Sequence, residues 1–204
     1  MSHLDILTPS VIRVGEGRGF LVEGTSDRLI ITAAHCLPFF PPCMSFSHLH
    51  ERTYQQLLAP IGAEPTVWAE CLFVDPISDL AVLGPPDSQE LSDQWEQYDS
   101  LIEPLNPISV SDAPEETPAW LLSLDKWWRQ CMVRQVGGPL WLYDAKDGIN
   151  RGMSGSPVLL GDGSAIGVVC AAGGTDTGLY TEGGPNPRLM TNLPGWCLSA
   201  LAID

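Results

Sequence analysis

Ile31-Thr32-Ala33-Ala34-His35-Cys36 and, far downstream, Gly152-Met153-Ser154-Gly155-Ser156-Pro157 decide how this chain is read, with Asp79-Leu80-Ala81-Val82-Leu83 between them. The first run ends an apolar strand on an imidazole, the second sets a hydroxyl among glycines, and the third opens an apolar strand on a carboxylate. A serine hydroxyl is a weak nucleophile at neutral pH and needs a base within hydrogen-bond reach, itself held in one tautomer by a third group. Histidine suits the role of base because its ordinary pKa lies near 7. A carboxylate on the other ring nitrogen orients the imidazole and stabilises the cation formed during attack. Gly152 and Gly155 let the backbone turn tightly around Ser154, and the N–H groups of Gly152 and Ser154 are candidate donors to a developing oxyanion.

His35, Asp79 and Ser154 are therefore the candidate catalytic residues. Asp75 is the rival carboxylate, but it precedes Pro76 and reads as a turn residue, whereas Asp79 starts a strand. Ser156 is the rival hydroxyl and reads as a small loop residue. Taken together, the three segments resemble the trypsin/chymotrypsin-type serine peptidases, and within them the branch of HtrA-like and other intracellular trypsin-like peptidases. Gly17-Arg18-Gly19-Phe20-Leu21-Val22 resembles the strand before the histidine strand, and residues 161–169 resemble the strand after the nucleophile loop. The resemblance implies an all-β fold, two six-stranded antiparallel β-barrels packed across an active-site cleft. It also implies a serine endopeptidase that works through an acyl-enzyme intermediate, with a protein or peptide as substrate. A catalytically silent binding or regulatory module on the same fold is the alternative.

Departures from the family pattern refine that expectation. Secreted digestive relatives carry an aspartate just before the nucleophile, which pairs with a newly cut N-terminus; Met153 stands there and cannot form the pair. Activation by propeptide removal is therefore not expected, and a partner, the substrate or a loop rearrangement would act as the switch. The resemblance places the floor of the primary specificity pocket at Gly148, beside Ile149, with Cys170, Ala171 and Ala172 as the opposite wall, whose backbone could pair with an extended peptide. An uncharged floor favours a small or apolar residue before the scissile bond; a one-residue shift to Asp147 would favour Lys or Arg.

Composition bounds the rest. A chain of 204 residues, 44% of them hydrophobic, can fill two small barrel cores. A net charge of -15 with 10 Lys and Arg excludes nucleic-acid binding, which needs clustered cations. The acidic stretches at residues 87–99 and 112–116 read as solvated surface. No run approaches a membrane span, and residues 1–5 lack a signal-peptide start, so a cytoplasmic protein without a membrane is expected. Related secreted enzymes bridge the cysteine after the catalytic histidine to the preceding strand; residues 15–31 contain no cysteine, which leaves Cys36 without that partner. With 6 cysteines mostly in apolar contexts, reduced thiols are expected. Cys43, His48, His50 and Glu51 match no zinc spacing, and neither metal nor cofactor is expected.

Short apolar runs between glycines and prolines predict strands at 10–14, 19–22, 28–32, 66–74 and 79–83. Residues 37–65 read as a proline-punctuated excursion, and 87–106 as an acidic linker with a helix around 92–102. Further strands are expected at 107–110, 119–124, 131–136, 140–143, 156–160 and 165–171. This gives an N-terminal barrel over 1–86 carrying His35 and Asp79 and a C-terminal barrel over 107–204 carrying Ser154. Trp120, Trp127, Trp128 and Trp141 are expected to pack within or between barrels.

Overall fold

The computed structural model describes residues 3–42, 49–171 and 181–201. Runs of β-branched and leucine side chains, fully buried on both faces where they cross the interior, build the first sheet. It comprises β1 (Val11–Val14), β2 (Gly17–Glu23), β3 (Arg28–Thr32), β4 (Thr53–Pro60), β5 (Val67–Asp75) and β6 (Leu80–Gly84). Their order is β1-β2-β3-β6-β5-β4, and pairing of Arg13 with Ala59 closes the circle, so no edge strand is left. Phe20, Leu21, Ile30, Ile31, Leu58, Leu80 and Leu83 are among its fully buried side chains, inside the barrel and on its covered outer face.

The excursion at 37–65 conceals a strand. Thr53–Pro60 pairs with both β1 and β5, and its register shifts between Tyr54 and Leu58, where Gln56 takes a φ of 51°. An irregular strand beside a proline-rich stretch breaks the period-2 pattern on which sequence recognition depends.

The second sheet comprises β7 (Glu116–Leu122), β8 (Trp128–Gln135), β9 (Leu140–Tyr143), β10 (Pro157–Leu159), β11 (Ala165–Val168) and β12 (Gly183–Asn186), in the order β11-β10-β7-β8-β9-β12. It curls without full closure: a single bridge between Gly167 and Arg188, just past β12, joins its ends. The expectation of a complete second barrel is thus met by a half-barrel of six strands, and the chymotrypsin-like arrangement of two β units holds. The expected strand at 107–110 is reduced to a bridge from Val110 to Ala165. Leu122, Leu159, Ala165 and Val168 of the second sheet join the hydrophobic cluster of the first barrel, so one apolar layer runs through the contact between the two.

Residues Ser92–Ile102 form a helix, as the sequence predicts. Tyr98 and Ile102 are its buried face, Tyr98 Oη donates to Arg28 O at 2.9 Å, and Arg28 Nη1 donates to the helix-end carbonyls of Ile102 and Glu103 at 3.1 and 2.7 Å. Those contacts satisfy carbonyls that a helix end leaves free. Of Trp120, Trp127, Trp128 and Trp141, Trp127 departs from the expected packing: it is exposed at the turn between β7 and β8. No helix among the described residues is long and apolar enough to cross a membrane.

Candidate active site

His35 sits in a single 3-10 turn at the end of β3, where Cys36 N donates to Ala33 O and Leu37 N to Ala34 O, both at 3.0 Å. Ala33 and Ala34 are fully buried, which leaves the backbone room to turn and carries the imidazole, about half exposed, into the groove. Asp79 meets it from the turn before β6. One carboxylate oxygen accepts His35 Nδ1–H at 2.6 Å and the other accepts the His35 backbone N–H at 2.9 Å. Asp79 holds a φ of 58°, a left-handed conformation that aspartate tolerates better than most residues. Its own carbonyl accepts Ala34 N–H at 3.1 Å and the Cys170 thiol at 3.2 Å.

The hydrogen bond from Asp79 is the main cause that raises the His35 pKa above its ordinary value; burial opposes it and the Asp79 charge reinforces it. Cys170 is a neutral thiol beside this pair: burial first, then the Asp79 charge and hydrogen bond, push its pKa strongly up. Asp75 is the turn residue the sequence implies, its carboxylate accepting Ile77 N–H at 2.9 Å and Ser78 Oγ–H at 2.7 Å.

Ser154 is the second residue of the latter of two consecutive reverse turns. Met153 N donates to Asn150 O at 3.1 Å and Ser156 N to Met153 O at 3.0 Å. The third residue of each turn is a glycine with positive φ, Gly152 at 91° and Gly155 at 82°, the type II requirement. Gly155 meets a second demand, because a Cβ there would stand 1.7 Å from Arg18 O. Ser154 O accepts Arg18 N–H at 2.7 Å and lies 3.7 Å from Cys36 Sγ, which ties the serine turn to β2 and to the turn bearing His35. Among the described residues, no carbonyl engages the N–H groups of Gly152 or Ser154, whereas those of Met153, Gly155 and Ser156 are all bonded. Among the same residues His35 Nε2 and Ser154 Oγ carry no hydrogen bond, a looseness common in sites without substrate. Ser156 is wholly buried, its hydroxyl unpartnered among the described residues, and it cannot reach a substrate.

Met153 points away from the groove into the second core, beside Leu121 and Val133, and its sulfur accepts Asn150 N–H at 3.3 Å. Gly148 takes a φ of 70° and Ile149 is buried in the same core. Asp147, the alternative pocket floor, is ion-paired to Arg129 at 2.5 Å and half exposed. Cys170 and Ala171 are held from behind by a residue the sequence does not announce: buried Asn186, whose side-chain oxygen accepts both of their N–H groups, at 2.8 and 3.0 Å. Ala172 lies outside the described residues, as do Cys43 and His48 of the cysteine–histidine group. Among the described residues no cluster of ligand side chains could hold a metal ion. Cys36, Cys71, Cys131, Cys170 and Cys197 are free. A Cβ on Gly17 would stand 2.4 Å from Cys36 Sγ, so glycine occupies the position facing that thiol.

No family model and no curated protein matches the chain. Solved structures do. The active form of the Rv3671c protease from M. tuberculosis superposes with a TM-score of 0.54 at 17% identity, over 96% of this chain and 82% of that one. A human pathogenic astrovirus serine protease gives 0.54 at 16% identity, over 92% and 94%. The MamO protease domain from Magnetospirillum magneticum gives 0.52 at 18% identity, over 91% and 95%. At such identities the likeness is one of fold, that of chymotrypsin-like serine proteases.

Proposed function

We propose that this chain is a serine endopeptidase in which Ser154 is the nucleophile, His35 the general base and Asp79 the orienting carboxylate. The observation that carries the reading is the two-pronged grip of Asp79 on His35, through Nδ1 and through the backbone N–H. That grip fixes the tautomer in which Nε2 is free to accept a proton. Ser154 Oγ attacks the scissile carbonyl carbon and passes its proton to Nε2. The carbonyl oxygen becomes an oxyanion facing the N–H groups of Gly152 and Ser154. Collapse expels the amine, which takes the proton from His35, and leaves an acyl-enzyme; water repeats the sequence and frees the serine.

Gly148, Ile149, Cys170, Ala171 and Ala172 are assigned to substrate binding. The pairing of Asp147 with Arg129 supports a small or apolar residue, rather than Lys or Arg, before the scissile bond. Met153, buried where digestive relatives need an aspartate, supports activity in the unprocessed chain, with a protein partner or the substrate itself as the regulator. Together with free Cys36 it favours the HtrA-like, intracellular branch and a cytoplasmic setting. The rival reading, a silent binding module, draws on the unbonded Ser154 hydroxyl.

A fluorophosphonate probe applied to the wild type and to Ser154→Ala tests the proposal. Labelling that vanishes in Ser154→Ala is expected; a wild type that resists the probe at every pH from 6 to 9 and with peptide substrates present sinks the enzyme reading.

A further inference from the structure

Arg18 is a cation near the start of β2 and only 4% exposed. Its guanidinium crosses to the second sheet, where Nη1 donates to Leu122 O at 2.6 Å and Nη2 to Ser123 O at 3.1 Å. No carboxylate forms an ion pair with it among the described residues. Burial lowers its pKa, yet a guanidinium stays charged in any protein. A buried cation matched only by carbonyl dipoles is costly, and an apolar side chain would fill the same space without that cost.

The placement of those bonds suggests what the cation does. With its backbone, Arg18 holds the nucleophile turn: its N–H bonds Ser154 O at 2.7 Å, and its carbonyl, fixed by Thr32 Oγ1 at 2.6 Å, abuts Gly155. With its side chain it holds the last carbonyls before the β7–β8 turn. That turn reaches the nucleophile turn, since Leu124 Cδ2 lies 3.7 Å from where a Cβ on Gly152 would project. One residue thus joins the turn that carries the Gly152 and Ser154 N–H groups to the turn that approaches Gly152.

We propose that Arg18 is a positioning residue of the Ser154 centre: it fastens the β7–β8 turn to the nucleophile turn and so keeps both oxyanion donors aligned. The inference rests on the reading of Ser154 as nucleophile. Buried Met153 anchors the loop from the second core, Arg18 from the first barrel, and the pair does the ordering that a freshly cut N-terminus does in digestive relatives. The fork of the guanidinium matters as well as the charge, because lysine offers a point charge in place of two fixed donors.

The test compares wild type, Arg18→Met and Arg18→Lys, with active sites counted by fluorophosphonate titration. Misplacing an oxyanion donor costs on the order of tenfold to a hundredfold in kcat. Arg18→Met is expected to lose that much in kcat per titrated site and in affinity for a peptide boronate, with KM changed less than about threefold. The acid limb of the pH profile stays in place, because the His35–Asp79 pair is untouched, and Arg18→Lys falls between the two. A merely structural role would lower the titratable fraction and leave kcat per site unchanged, which overturns the proposal. Should Arg18→Met not fold, the exposed Leu124→Ala decides: a fall of about threefold or more supports the fastening, and no change in kcat overturns it. If the wild type itself never labels at Ser154, the function reading has failed separately. Amide exchange then reads the brace alone: Arg18→Lys must speed exchange at residues 122–124 and 152–156 relative to both sheets, and uniform exchange overturns it.

Discussion

Replacing Gly155 by alanine strikes the nucleophile turn in two independent ways. At a φ of 82° an L-residue loses about 1–2 kcal/mol relative to glycine. The new Cβ also starts 1.7 Å from Arg18 O and 2.7 Å from Thr32 Oγ1, far inside contact, and neither the strand carbonyl nor the buried threonine can step aside freely. Overpacking of this kind costs about 1–3 kcal/mol. Relief requires β2 to retreat from the serine turn, which lengthens the 2.7 Å bond from Arg18 N to Ser154 O, a loss of about 1 kcal/mol. The total is about 3–6 kcal/mol, and for a chain of this size each kcal/mol lowers Tm by about 2–4 °C. The unfolding temperature measured by circular dichroism should therefore fall by roughly 6–24 °C. Below that transition Ser154 labelling should slow on the order of a hundredfold, the penalty for an ångström of misplacement at a reacting group. A Tm within about 2 °C of wild type, with labelling within threefold, refutes the packing reasoning.

The base must be neutral to act, and Asp79 raises the His35 pKa, so kcat/KM should rise along an acid limb whose midpoint lies above 6.5. In Asp79→Asn the midpoint moves down and kcat drops roughly ten-thousandfold, measured over pH 5 to 9. The same raised pKa makes the pair stabilising below pH 6.5, an increment lost as pH climbs through the folded value; unfolding by denaturant at several pH values reads it. Met153→Asp buries a carboxylate in an apolar core and should cost several kcal/mol, whereas Met153→Leu should stay under about 1.5 kcal/mol. Equal denaturation midpoints for those two variants would contradict the buried placement of Met153. Gly17→Ala should destabilise the fold by about 1–3 kcal/mol, read by denaturant unfolding, because its Cβ would start 2.4 Å from Cys36 Sγ. It should also slow labelling of Ser154, because the added Cβ presses within 2.7 Å of Ser154 O.

The placement of His35 and Asp79 together was legible in the sequence because each sits at the end of a short apolar strand, and the apolar runs at 20–22, 29–31 and 80–83 are unbroken and buried. The helix at Ser92–Ile102 was legible for a similar reason, its buried Tyr98 and Ile102 lying on one face. Two strands were not. Thr53–Pro60 is broken by the backbone at Gln56, and β12 reads Gly183-Gly184-Pro185-Asn186, residues that disfavour strands and pair only because β9 offers an edge. Asn186 and Arg18 escaped notice because a polar side chain buried by distant elements has no local signature. Gln135 and Tyr143 look no different in sequence, and they lie at the surface or partly buried. Met153 was legible in part: a methionine before Ser154 excludes the ion pair, but its burial in the second core is set by distant strands.

Asp79 has a consequence for mechanics. Its carboxylate grips the imidazole of one barrel while its carbonyl receives the Cys170 thiol from the other. A shear between the two halves therefore converges on a single peptide unit, already in a left-handed conformation with little slack. Force applied at a distant surface, by a docked chain or a stretched polypeptide in the groove, would be felt at the bond from His35 to Asp79, so on the proposed mechanism this residue is a strain gauge as well as the orienting carboxylate.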